Sequence, residues 1–94
     1  MTENGIFLSD LPAGALLQVE TKGHVYSLVN SGGGRAWISG HPDYCPLPVE
    51  VTIAGSSQGK PPSLTPGFIG LGMRLKFWHP SHDLVTTSMV RDIR

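Results

Sequence analysis

The sequence of 94 residues has little charge, one cysteine and no long apolar run. Seven basic residues balance seven acidic ones, so it lacks the basic excess that supplies most of the affinity of nucleic-acid binders. A single cysteine excludes an intramolecular disulfide, and with it the disulfide-stapled class of small secreted domains. No run of about 18 apolar residues occurs, and we therefore expect no membrane-spanning segment.

Secretory features are also missing. Residues 1–7 contain no basic residue followed by an apolar run, and no Asn-x-Ser/Thr sequon occurs. A reducing cytoplasm is the expected location. Hydrophobic residues make up 39% of the chain and charged residues 15%, which excludes the composition of a disordered protein. A chain of this length suits one folded domain.

Helical periodicity is absent, whereas alternation of apolar and polar residues recurs along the chain. Twelve glycines and eight prolines separate these alternating segments. The pattern predicts six strands, at residues 15–21, 25–30, 35–39, 49–54, 69–78 and 84–93. In the strongest of them one row is apolar: Ile69, Leu71, Met73, Leu75 and Phe77. Segments 41–48 and 55–67, rich in proline, glycine or serine, are predicted to be loops.

Six short strands, each with one apolar face, predict an all-β fold. The expected architecture is a small single-domain barrel or rolled antiparallel sheet of SH3-like or OB-like size. Periodicity does not choose between these two. Residues 11–94 form the predicted barrel domain, and residues 1–10 a loosely held N-terminal arm.

Strand parity places aromatic and basic side chains together on the outer face. Trp and Arg are favoured anchors of protein interfaces. We therefore predict a non-catalytic module that binds a protein or peptide. Its contact residues would be Trp37, Arg74, Lys76 and Trp78. Cations interleaved with indole rings can also hold single-stranded nucleic acid, although the zero net charge makes that partner unexpected, and an unoccupied surface is a third interpretation.

A different hypothesis comes from the histidines and the cysteine. In an up-and-down meander, the loops that carry them would all fall at one end of the barrel. Imidazole and thiolate are suitable zinc ligands. The alternative function is thus a zinc site, and its ligands would be His41, Cys45, His79 and His82. His24 is a further candidate ligand. Turn-forming His-Pro pairs and an ordinary buried cysteine account for the same residues without a metal.

Catalytic motifs are not found. The segment from Gly55 to Lys60 lacks the spacing of a phosphate-binding loop, and Gly70-x-Gly72 lacks the third glycine of a dinucleotide fingerprint. A Cys45–His nucleophile pair would need an orienting third group that the sequence does not reveal. We expect no enzyme, and no cofactor other than zinc. Self-association through strand edges is a further hypothesis.

Overall fold

The computed structural model describes residues 4–94. Six strands build a barrel: β2 (Leu16–Thr21), β3 (Val25–Gly32), β4 (Arg35–Ser39), β5 (Val49–Gln58), β8 (Arg74–His79) and β9 (Asp83–Ile93). The shorter elements are β1 (Gly5–Phe7), a 3₁₀ helix (Leu8–Asp10), β6 (Ser63–Pro66) and β7 (Phe68–Gly70). No helix among these residues is long and apolar enough to cross a membrane.

The barrel strands follow one another around a closed antiparallel sheet. Each pairs with the next in chain order, and β9 returns to pair with β2, where Val19 lies opposite Ile93. The predicted all-β barrel is confirmed. Its connectivity is that of an up-and-down barrel and differs from the Greek-key order of an OB-fold. Strand β6 adds to the edge of β5, and β1 pairs with β7 in a separate two-stranded sheet.

The core follows from the alternation along each strand. Val19, Leu28, Ile38 and Phe77 point inward from four different strands and are fully buried. Burial of one such side chain contributes about 1.5–3 kcal/mol, so this row supplies much of the stability. In β4 the intervening residues Arg35 and Trp37 are exposed.

The prediction of one continuous strand over 69–78 was wrong. A turn at residues 71–73 divides it into β7 and β8, and Leu71 is exposed instead of buried. Gly72 takes a φ of +76°, a conformation that glycine adopts without steric cost. Its amide donates to the carbonyl oxygen of Val90, which ties the turn to β9. Alternation as predicted holds from Arg74 to Trp78.

The predicted loop over 55–67 was also wrong in part, since β5 continues to Gln58 and β6 pairs with it. The register along β8 shifts between Ile53 and Gly55. Gly55 has a φ of +138°, and a Cβ there would overlap the carbonyl oxygen of Thr65. This irregular glycine lets β5 contact both β6 and β8.

The N-terminal segment contributes to the core. Ile6 lies opposite Ile69 in the β1–β7 pair, and Ile6 and Leu8 are buried in the same cluster as the barrel side chains. The first three residues of the predicted arm lie outside the described residues. The division of the chain into an arm of residues 1–10 and a domain of residues 11–94 stays a prediction.

Candidate functional site

Both tryptophans lie on the outside of the barrel. Trp37 is 47% exposed and Trp78 is 51% exposed. Trp37 stands opposite Glu50, and Trp78 stands opposite Thr52, so β5 separates the two rings by one strand. Both indole rings therefore lie on the outer face of the barrel, as strand parity predicts.

A shallow groove of about 230 Å³ adjoins Trp78, and we call it the indole groove. It is lined by Arg35, Glu50, Val51, Thr52, Trp78, His79 and Pro80. Arg35 Nη2 donates to Glu50 Oε1 at 2.8 Å, so one wall of the groove is an ion pair. Both partners are partly exposed, and such a pair stabilises the fold by only about 0–1 kcal/mol. Its main effect is to orient two charged groups beside the indole ring.

Arg74 and Lys76 continue the outer face of β8 away from Trp78. Alternate residues on a strand lie about 6.6–6.8 Å apart, so this face extends roughly 13 Å. Lys76 Nζ donates to Thr86 Oγ1 at 2.9 Å, and Arg74 Nη1 donates to the carbonyl oxygen of Thr87 at 3.4 Å. Neither cation takes part in an ion pair with another of the residues 4–94. Both charges are therefore available to a carboxylate.

An exposed apolar row next to Trp37 was missed by the sequence reasoning. Leu16 on β2 lies opposite Val29 on β3, and Val29 lies opposite Trp37. All three are exposed, Leu16 at 68%. Their outward parity was visible in the sequence, but only the pairing of the strands brings them side by side. Trp37 thus stands at the end of an apolar row that crosses three strands.

The predicted gathering of the four histidines at one end of the barrel is confirmed. Ring centroids are 4.3 Å apart for His24 and His41, and 4.6 Å apart for His79 and His82. Tyr44 links the two pairs, with centroids 4.6 Å from His41 and 5.1 Å from His82. Tyr44 was not predicted from the sequence, because only histidine and cysteine were considered as zinc ligands. We call these five residues the histidine end.

Hydrogen bonds show which ring nitrogens accept and which donate in His41 and His79. His41 Nδ1 accepts from the amides of Asp43 and Tyr44 at 3.1 and 3.3 Å. His79 Nδ1 accepts from the Ser81 amide at 2.9 Å, and its Nε2 lies 2.8 Å from the carbonyl oxygen of Tyr44. Because a carbonyl only accepts, Nε2 of His79 must carry the proton. Both nitrogens of His79 are therefore engaged within the protein.

Cys45 lies in the core cluster and is almost fully buried. Burial raises the pKa of its thiol, although a hydrogen bond from the His41 backbone opposes this shift. Since the thiolate is the form that attacks or binds metal, the raised pKa makes Cys45 a poor nucleophile. Burial likewise raises the pKa of the neighbouring Tyr26 to about 12, with smaller effects of Cys45 and Tyr44.

Within residues 4–94, no group of three or more His, Cys, Asp or Glu side chains is arranged to hold a metal ion. The zinc hypothesis for His41, Cys45, His79 and His82 therefore gains no support from this geometry, and it stays a prediction.

Comparison with known proteins adds no family to this description. No protein-family model, curated protein or solved structure matches the chain. The functional inference rests on the exposed side chains and grooves described above.

Proposed function

We propose that this protein is a non-catalytic binding module whose barrel presents a contact surface to a protein or peptide. This partner surface consists of Trp37, Arg74, Lys76 and Trp78. The observation that carries the proposal is the exposure of both indole rings on one side of a closed barrel. Aromatic side chains bury 150–250 Å² each when fully covered, at roughly 25 cal/mol per Å², so covering the exposed half of each ring would favour binding.

The charges support a partner of particular chemistry. Arg74 and Lys76 make no ion pair with the other described residues, and they lie on the same strand as Trp78. An extended segment that places an apolar side chain against Trp78 would bring its next residues over these two cations. The expected partner thus combines an apolar or aromatic residue with acidic residues two to four positions away.

The test is selection from a phage-displayed library of random peptides against the immobilised protein. Enriched peptides should carry the apolar and acidic pattern. Their affinity, measured by fluorescence anisotropy, should fall about tenfold or more for Trp78→Ala, since buried aromatic anchors dominate most interfaces. Lys76→Ala should weaken binding less, and raising the salt concentration should weaken the wild-type complex through screening.

Leu64→Ala is the matched control, because Leu64 is an exposed apolar residue on β6 outside the partner surface. Its affinity should equal that of the wild type. Peptides that bind Trp37→Ala and Trp78→Ala as tightly as the wild type would contradict the proposal. So would a library that yields no enrichment.

Metal binding by His41, Cys45, His79 and His82 is the second candidate function, proposed from the sequence. Equilibrium dialysis of tag-free protein against Zn²⁺ tests it, with His82→Asn as the variant, because the His82 side chain is exposed. Stoichiometric zinc that is lost in the variant would support the site.

The cytoplasmic location and self-association proposed from the sequence are tested by fractionation and by analytical ultracentrifugation.

A further inference from the structure

A larger groove, of about 580 Å³, lies where the β1–β7 sheet meets β5 and β6. We call it the phenyl groove. It is lined by Asn4, Phe7, Gln58, Thr65, Phe68, Leu71 and Met73. Its volume falls within the range of about 300–1,000 Å³ that is usual for small-molecule sites. None of its lining residues belongs to the partner surface, so it is a separate place on the molecule.

The floor of the phenyl groove is held by a fully buried hydroxyl. Ser56 Oγ donates to the carbonyl oxygen of Phe68 at 2.7 Å and accepts from the amide of Gly70 at 3.2 Å. One side chain of β5 therefore holds the backbone of β7 at two points. A Cβ at Gly70 would overlap Met73 Sδ, so the glycine leaves room for that side chain below the groove.

The walls of the groove are aromatic. The rings of Phe7 and Phe68 are 4.8 Å apart between centroids and inclined at 51°. Phe7 is 37% exposed, which leaves part of its ring uncovered. Aromatic rings associate with other flat rings in offset or tilted arrangements. A planar ligand can therefore be seated against this pair.

The polar side chains that residues 4–94 contribute to the groove are uncharged. The side chains of Asn4, Gln58 and Thr65 make no hydrogen bond with any other of the residues 4–94, so two carboxamides and a hydroxyl can pair with a ligand. Among residues 4–94, the lining contains no Asp, Glu, Lys, Arg or His. An ion entering the groove would lose part of its hydration without gaining a partner charge from these lining residues. The lining thus selects for a neutral ligand with its own donors and acceptors.

We propose that the phenyl groove binds an uncharged, flat heteroaromatic ring that carries a hydrogen-bonding substituent such as a carboxamide. The ring would lie against Phe7 and Phe68, and the substituent would exchange hydrogen bonds with Gln58 or Asn4. This site does not depend on the partner surface, and either proposal can fail without the other.

Three probes of similar size separate the elements of this proposal. Nicotinamide is flat and neutral, nicotinate keeps the ring but carries a charge, and cyclohexanecarboxamide keeps the amide but is not flat. Each is titrated into ¹⁵N-labelled protein while ¹H–¹⁵N spectra are recorded. Nicotinamide should shift the amide signals of Phe7, Phe68 and Met73 saturably, with a Kd of about 1 mM. The other two should bind about fivefold or more weakly.

Two variants test the assigned contacts. Phe7→Ala should weaken nicotinamide binding about fivefold, because the stacking surface is lost. Gln58→Leu, in which an exposed side chain loses its amide, should also weaken it and serves if Phe7→Ala does not fold. Leu64→Ala should bind as the wild type does. The proposal is overturned if no saturable shift occurs up to about 20 mM, if the three probes bind equally, or if the variant tested binds unchanged.

Discussion

The indole groove and the phenyl groove differ in how they are built and in what they can hold. The indole groove lies on regular barrel strands and has an Arg35–Glu50 ion pair in its wall. The phenyl groove is made by the segment between β5 and β8 together with the N-terminal segment, and none of its lining residues in the described part of the chain is charged. One small barrel can thus offer surfaces to two chemical classes of ligand, because charged side chains are distributed unevenly around it.

The largest loss of stability is expected from a core substitution, which would disrupt both grooves together. Phe77 is fully buried on β8 and belongs to the common core. Phe77→Ala should lower the free energy of unfolding by about 3–5 kcal/mol, because the substitution loses apolar burial and leaves a cavity. Urea denaturation measures this. Leu64→Ala should change it by less than about 0.5 kcal/mol, and equal effects of the two substitutions would show that the assigned core is wrong.

Alkaline pH should weaken the fold through a residue outside both grooves. Burial favours the neutral phenol of Tyr26, whose pKa is raised from 10.0 to about 12 in the folded protein. Below pH 10 the phenol is neutral in both states and this contribution is fully present, and it is lost as the pH rises from 10 to about 12. Tyr26→Phe should show a smaller loss of stability over that interval in urea titrations. An identical loss in the variant would exclude Tyr26 as the cause.

A substitution beneath the phenyl groove should separate the two grooves. Ser56→Ala leaves the Phe68 carbonyl and the Gly70 amide without their buried partner, which should cost about 1–3 kcal/mol of stability. Nicotinamide binding should weaken, whereas affinity for peptides selected on the partner surface should not change. The nicotinamide and peptide affinities are both measured at a temperature well below the Tm of the variant. Equal losses of the two affinities would show that the phenyl groove and the partner surface are not independent.

The smallest effect is expected at the ion pair of the indole groove. Arg35→Gln should change the unfolding free energy by no more than about 1 kcal/mol, since both partners are partly exposed. A double-mutant cycle with Glu50→Gln isolates the coupling between the two side chains. A coupling well above 1 kcal/mol would show that this wall is more rigid than its exposure suggests.

Prediction from sequence worked best where alternation is uninterrupted. In β4, Ala36 and Ile38 point inward, and Trp37 points outward, as their spacing predicts. It failed between residues 55 and 73. Ser56 is fully buried although its hydroxyl is polar, because its hydrogen bonds are made with β7, far along the chain. Leu71 is exposed although apolar, because a glycine turn interrupts the strand at that point.

The candidate sites divide in the same way. The outward position of Trp78 follows from parity within a single strand, which is a local property. The phenyl groove does not, since its lining residues come from segments that meet only through the pairing of β1 with β7 and of β5 with β6. The uncharged lining could not be read from a sequence in which charged and apolar residues are both present.

The local pattern of residues is enough to predict that the chain forms strands, which faces of most strands are apolar, and that both tryptophans lie outside. Side-chain direction alternates at every residue of an extended chain, so these features need no knowledge of distant partners. The closure of β9 onto β2, the burial of Cys45 and the positions of the indole and phenyl grooves are evident only in the folded protein. These depend on which segments pair, and pairing is set by packing between residues that are far apart in the chain.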